Sequence, residues 1–314
     1  MTSAPPPLLP VPGLHEGLLA AGDRDASLWF VEAGPAEGSG PSPFATRFPT
    51  RHAVVPAREA DVVGTVAERS AAGAPGFVAS SWPFLTEAAY PALVRTVVVP
   101  RRNVKLVALP PEPEDRGPTP PLAVRDDLST MRALPSMTVV APADGPTVRT
   151  ATLALAERLG PAYLRLPSGD APPVTDGEFA VGRARELRAG SDIAIVVWGA
   201  MVSRGLAVAD ELARVGLTAR VLDVASIKPF DEAAILRAAR DTGAVLVAEA
   251  APLGTGVGTW VAAMTSENFP VPVRRVGLPD VWPAPPGSLD ESGLSVERLR
   301  DEAWELLRLR GKAT

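Results

Sequence analysis

The sequence predicts an α/β protein made of two doubly wound, mostly parallel sheets. Short apolar runs of strand length alternate with amphipathic helical stretches along the chain, and the second half contains one clear βαβαβ succession. The chain's 314 residues, 46% of them hydrophobic, are also enough for two compact domains of about 100 to 200 residues each.

Residues 1–11 form a Pro-rich leader. The opening MTSAPPPLLPVPG has neither the basic start nor the long apolar core of a secretion signal. The first domain is placed at 12–180, with strands at 28–33, 52–55, 76–80, 103–109, 137–142 and 162–166. Helices are expected between them at 58–71, 84–98, 125–133 and 146–159. The run PPEPEDRGPTPP at 110–121 can be neither helix nor central strand, because its prolines remove backbone donors and fix φ. It reads as a loop after a strand, where α/β proteins place ligand contacts, or equally as a plain surface connection.

The second domain is placed at 181–314. DIAIVVWG (192–199) has the run length of a buried strand; the amphipathic MVSRGLAVADELARVG follows, closed by Gly216, and then the strand TARVLDVA. Asp231 is placed to cap the next helix and Gly243 to end it before the strand AVLVAEA (244–250). The last helix, SVERLRDEAWELLRLRG, has Ser295 at its cap.

Composition excludes several kinds of chemistry. With no cysteine there are no disulfides, thiolate catalysis or Cys-ligated metals, and His15 and His52 alone make a His-rich metal site improbable. The net charge of -5 comes from mixed charges without a basic block, which argues against nucleic acid. No window approaches 18 uncharged apolar residues, so no membrane partner and a cytoplasmic location are expected. Lysine occurs only at 105, 228 and 312, arginine carrying nearly all the positive charge.

Among the motifs, GTGVG (254–258) lacks the full G-x-G-x-x-G and its distal acid, and reads as a tight turn opening a packed helix. There is no P-loop, and neither histidine stands in a triad context. The adjacent carboxylates Asp126 and Asp127, and Glu114 and Asp115, read as solvated. RHAVVPAREADVVG (51–64) is different: Glu59, Val62, Val63 and Val66 fall at i, i+3, i+4 and i+7, which puts an acid on the apolar face of a helix entered through Pro56. Taken alone, Glu59 is either an acid favoured by the helix dipole or a functional carboxyl.

Here the chain resembles the transketolase family. RHAVVPAREADVVG is similar to the segment that carries the family's glutamate against the aminopyrimidine of thiamine diphosphate, and SSWPFLTEAAY (80–90) to its aromatic ring-stacking segment. NVKLVAL, TMRALPSMTVVAPAD (130–144), GPAYLRL (160–166), SIKPFDEAAILRAARDTGAVLVAE (226–249), GTGVGTWVAA and VGLPDVW (276–282) follow in family order, so the likeness runs from about residue 12 to the end. It implies the pyrimidine-binding and C-terminal domains of a transketolase. The domain that binds diphosphate and Mg²⁺, marked by GDG and a downstream asparagine, has no counterpart in this sequence.

The resemblance therefore implies the β-like subunit of a split enzyme. The partner would be a separate α-like, diphosphate-binding chain, expected as α2β2, that holds Mg²⁺. Glu59 would be the catalytic carboxyl. Kept neutral by apolar surroundings, it would share a proton with ring nitrogen N1′ and favour the imino tautomer that deprotonates the thiazolium. Phe84 would stack on the aminopyrimidine, with Trp82 beside it and Ser81 where the family has its first phenylalanine.

The departures concern the substrate. The family's D-G-P-T-H-Q becomes R-G-P-T-P-P at 116–121, so the sugar-handling histidine is either replaced by Pro120 or lost in a small insertion. Ser168 stands where a phosphate-binding arginine is expected, although Arg165 remains. The implied function is transfer of a two-carbon ketol unit to an atypical acceptor, non-phosphorylated or carrier-bound. The alternatives are glycolyl transfer to a lipoyl or carrier-protein thiol, as in the β subunits of 2-oxo acid dehydrogenases, and a non-catalytic scaffold.

Overall fold

The computed structural model describes residues 13–33, 42–56, 58–110, 126–167, 173–279, 281 and 289–312, except the side chain of Glu59. These fall into two compact units that divide between Val181 and Gly182, the stretch 126–129 being grouped with the second.

Six parallel strands build the sheet of the first unit: β1 (Trp29–Ala33), β2 (His52–Val55), β3 (Gly76–Ser81), β4 (Val104–Leu109), β5 (Thr138–Val140) and β6 (Ala162–Arg165). Their order is β5-β6-β4-β3-β1-β2. The chain thus steps from β1 outward to β2, then crosses back to place β3 on the other side of β1. That reversal is the switch point of a doubly wound sheet, and the crevice beyond the carboxyl ends of β1 and β3 is where such folds hold ligands.

Helices α1 (Leu14–Arg24), α2 (Pro43–Arg47), α3 (Glu59–Arg69), α4 (Tyr90–Leu93), α5 (Asp127–Ala133) and α6 (Gly145–Glu157) accompany these strands. Phe30, Phe77 and Val107 enter a core shared with Leu14 and Leu18 of α1, Phe44 of α2 and Val148 and Leu155 of α6. Their strand neighbours Val31, Val78 and Leu106 are also buried, so both faces of the sheet are covered.

α1 was not expected from the sequence; Gly17 and Gly22 lie within it and Gly13 precedes it. Packing explains each of them. A Cβ on Gly17 would lie 2.7 Å from Thr152 Cβ, so the glycine lets α1 approach α6. A Cβ on Gly22 would lie 2.8 Å from the Phe48 ring. Gly13 has φ +89° and sits against the Gly145 carbonyl, where no side chain fits.

The helix expected at 84–98 is interrupted. Phe84–Ala88 and Val94–Val98 are wide π-type turns on either side of α4, as in the 2.9 Å bond from Ala89 N to the Phe84 carbonyl. Pro91 accounts for the break, since it removes a backbone donor from the first turn of α4.

One carboxylate expected to be solvated is not: Asp127 is 2% exposed, in the first turn of α5, where the helix dipole favours an acid; Asp126 is half-buried. Glu114 and Asp115 lie outside the described residues.

The second unit contains β7 (Arg185–Arg188), β8 (Ile193–Val197), α7 (Met201–Ala213), β9 (Ala219–Asp223), the short β10 (Ser226–Lys228), α8 (Glu232–Thr242), β11 (Val245–Pro252), α9 (Val257–Asn268), β12 (Val273–Leu278) and α10 (Val296–Leu309). The expected βαβαβ unit is present as β8-α7-β9-α8-β11, in a sheet ordered β12-β11-β8-β9-β7. Asp231 and Ser295 cap α8 and α10 by accepting from Ala234 N and Arg298 N, and Gly243 ends α8 with φ +67°. Two edge strands escaped the sequence reading. β7 is antiparallel to β9 and β12 parallel to β11; RELR and VRRVGL carry arginines that mask strand character, as edge positions allow. Among the described residues no helix is long and apolar enough to cross a membrane.

Candidate active site

The predicted site residues come from strand ends on one side of the first sheet. Glu59 opens α3, with three residues between it and the end of β2; its side chain lies outside the described residues. Behind it, Val62 and Val66 are fully buried and Val63 half-buried, so the apolar face inferred for α3 is real. Arg102 caps the far end of the same helix, its Nη1 donating to the Ala67 carbonyl (2.7 Å) and to Ser70 Oγ (2.8 Å).

Ser81 is the last residue of β3, half-buried, in register with Leu109 of β4. Trp82 follows and is buried at 7% exposure; its carbonyl accepts from Thr86 Oγ1 at 2.8 Å, which fastens the turn that begins at Phe84. Phe84 is half-buried. Glu59 and Phe84 therefore follow β2 and β3, the two strands flanking β1. Strands spaced about 4.8 Å apart put those ends roughly 10 Å from one another.

Arg165 ends β6 and is half-buried, its backbone paired with Ala108 of β4; β4 alone separates β6 from β3. Ser168 and most of the loop 110–121, including Pro120, lie outside the described residues.

The sequence reading overlooked a polar pair between β1 and β2. His52, at the start of β2, places Nε2 2.7 Å from Oε2 of Glu32 on β1, and both side chains are nearly buried, 9% and 4% exposed. Ser80 Oγ donates to the Ala33 carbonyl at 2.8 Å and ties β3 to the same end of β1. The signal available in sequence was an acid inside an otherwise apolar strand, WFVEA, with one of only two histidines on the next strand.

In the second unit, GTGVG is the tight turn before α9. Its helix start is filled by the chain's own carboxylate: Glu249 accepts from Val257 N (2.7 Å) and Gly258 N (2.9 Å). Among the described residues no group of three or more His, Asp or Glu side chains could hold a metal ion.

Two family models match the chain, the transketolase pyrimidine-binding domain over residues 13–173 and the transketolase C-terminal domain over residues 182–299. The chain is 36% identical over 269 residues to the 6-deoxy-6-sulfo-D-fructose transketolase subunit of Clostridium sp. (strain MSTE9), covering 84% of this chain and 83% of that one. It is 37% identical over 157 residues to an apulose-4-phosphate transketolase subunit of Phocaeicola vulgatus, covering 49% of this chain and 50% of that one. Among solved structures, a split gene transketolase described as an inactive β4 tetramer superposes with a TM-score of 0.86 at 31% identity, covering 95% of this chain and 97% of that one. A transketolase from Pichia stipitis, at 19% identity, shares the fold with a TM-score of 0.71; 96% of this chain matches 47% of that one.

Proposed function

The chain belongs to the transketolase family, and from that premise we propose that it is the β-like subunit of a split, thiamine-diphosphate-dependent enzyme that transfers a two-carbon ketol unit. The observation that carries this is the placement of Glu59 and Phe84 just beyond the carboxyl ends of the two strands flanking β1, by the switch point of the sheet. One ionisable acid and one half-buried aromatic residue, presented just beyond strand ends that lie roughly 10 Å apart, suit a pyrimidine that is stacked on its face and hydrogen-bonded at its edge. On the chemistry of these donors the residues fit the cofactor.

When bound, the cofactor supplies the electron sink for breaking a carbon–carbon bond beside a ketone. Glu59 holds a proton at ring nitrogen N1′, a role that apolar surroundings favour by raising a carboxyl's pKa. Phe84 orients the ring by stacking, with the buried Trp82 beside it and Ser81 at the end of β3 before the turn that presents Phe84. Arg165 and Ser168 are assigned to the far end of the substrate. Diphosphate and Mg²⁺ are assigned to an α-like partner chain, in an α2β2 assembly. The solved relative described as an inactive β4 tetramer supports the expectation that β chains alone assemble without turning over.

The substrate is proposed to lie outside the ordinary pentose phosphates. The resemblance leaves the stretch around Pro120 without the sugar-handling histidine and puts Ser168 where a phosphate-binding arginine is expected, and the relatives are named for a sulfonated ketose and for apulose 4-phosphate.

The test is to purify the tagged chain from its native cells with thiamine diphosphate and Mg²⁺, identify what co-elutes, and assay the complex. A stoichiometric partner carrying GDG and a downstream asparagine is expected, with Glu59→Gln leaving assembly intact and abolishing donor cleavage. Unchanged turnover in Glu59→Gln would falsify the catalytic assignment. Efficient use of ribose 5-phosphate as acceptor would remove the case for an unusual substrate.

A further inference from the structure

β2 is weakly specified by its apolar residues. It has four residues, lies at the edge of the sheet and pairs with β1. None of its three apolar residues, Ala53, Val54 and Val55, is buried, and Val54 is 43% exposed. Strand register is normally set by which side chains are buried, and a slip of one residue turns every side chain to the other face. A shallow pattern such as that of β2 leaves this choice open. A slip also displaces the residues downstream of the strand by about 3.3 Å, and three residues separate β2 from Glu59.

The feature that singles out one register is polar. His52 stands directly opposite Phe30 of β1 and leans on its ring, with centroids 5.7 Å apart. Two residues further along β1, Glu32 offers Oε2 to His52 Nε2 at 2.7 Å. The other oxygen, Oε1, is buried with no hydrogen-bond partner among the described residues. A buried ionisable pair is seldom the most stabilising choice, since apolar residues of similar volume often do as well or better. Directionality is the property it adds: this bond forms in one register. The Ser80 to Ala33 bond at 2.8 Å holds β3 at the same place.

We infer that Glu32 and His52 are a positioning pair, which fixes β2 on β1 and thereby sets Glu59 against Phe84 without touching the reacting atoms. The inference rests on the assignment of Glu59 made above.

The test uses the complex with its partner chain and the double variant Glu32→Leu, His52→Leu, which replaces the pair with apolar bulk. Its melting temperature is expected to equal or exceed that of the parent. Amide exchange at Val54 and Val55 should quicken at least tenfold, and the affinity for thiamine diphosphate, read by calorimetry, should fall at least tenfold. His52→Gln keeps a side-chain N–H within reach of Glu32 and should restore most of both. A double variant with parental exchange and parental cofactor affinity overturns the inference. If the double variant does not fold, His52→Gln is compared with His52→Leu, and equal exchange in the two overturns it. Glu59→Gln run in parallel separates the two ideas: full turnover there sinks the Glu59 assignment, while the exchange data still decide the register.

Discussion

Glu249 occupies the space that a side chain on Gly256 would need: a Cβ there would lie 2.3 Å from Glu249 Oε1. The same carboxylate accepts from Val257 N and Gly258 N, so a buried acid from β11 satisfies the start of α9. Gly256→Ala is therefore expected to destabilise the protein by about 1 to 3 kcal/mol, the usual cost of overpacking, in urea unfolding. Adding a nicotinamide dinucleotide should leave the melting temperature unchanged, because the anion-accepting helix end is already filled. A shift of several degrees would reopen the dinucleotide reading of GTGVG.

Asp144 caps α6 through Thr147 N and also accepts from Val174 N, Thr175 N and Thr175 Oγ1, which fastens the segment 173–177 to the helix. Burial pushes this carboxyl up, but the hydrogen bonds from Thr147, Val174 and Thr175 outweigh it and hold the group below its ordinary 3.8. A depressed pKa means stability that is present above the unfolded value and lost as pH falls through the folded one. Asp144→Asn is expected to cost about 1 to 3 kcal/mol at pH 7, and its unfolding curve should converge with the parent's below pH 3.8. A constant gap down to pH 2 would contradict the linkage.

Lys105, fully buried in β4, donates to Asn103 Oδ1, the Arg158 carbonyl and the Gly160 carbonyl at 2.6, 2.7 and 2.6 Å. Burial, reinforced by the nearby charge of Arg158, lowers it from 10.5 to about 7. Between those values the unfolded chain binds more protons than the folded one, so stability rises with pH over that window and the burial cost is fully present below it. Lys105→Met should flatten this slope while leaving three oxygens without a donor. Equal slopes in parent and variant from pH 7 to 10 would show that the three acceptors already offset the cost of burying the charge.

Trp82 and Phe84 should separate structure from function. Trp82→Ala empties a buried site and is expected to cost about 3 to 5 kcal/mol. Phe84→Ala removes a half-buried ring and should cost less stability. In the complex it should weaken thiamine diphosphate about tenfold, the order of one stacking contact. Calorimetry beside urea unfolding distinguishes them, and equal losses in both assays would refute the stacking assignment.

Much of this protein could be read from local pattern. Runs such as DIAIVVWG and AVLVAEA have one stable outcome, a buried strand, and caps such as Asp231 and Ser295 act within four residues of themselves. The resemblance located Glu59 and Phe84 because it rests on contiguous strings. Helix α1 was not legible, since Gly17 and Gly22 within it and Gly13 before it make sense only once α6, the Phe48 ring and the Gly145 carbonyl are brought against them. Edge strands β7 and β12 were hidden because strand character there depends on a neighbour supplied from elsewhere in the chain.

Alternation of strands and helices, periodicity and capping are near-neighbour properties, so the sequence by itself determined the α/β class, most of the elements and the acid that begins α3. Strand order needed the tertiary structure, because crossing from β2 back past β1 to β3 is a choice among distant partners. That crossing creates the switch point and brings Glu59 and Phe84 to either side of β1, while the pairing of β2 with β1 closes Glu32 on His52 across 20 residues of chain. Nothing in a local window encodes such a meeting. It follows from burying both faces of one sheet at once.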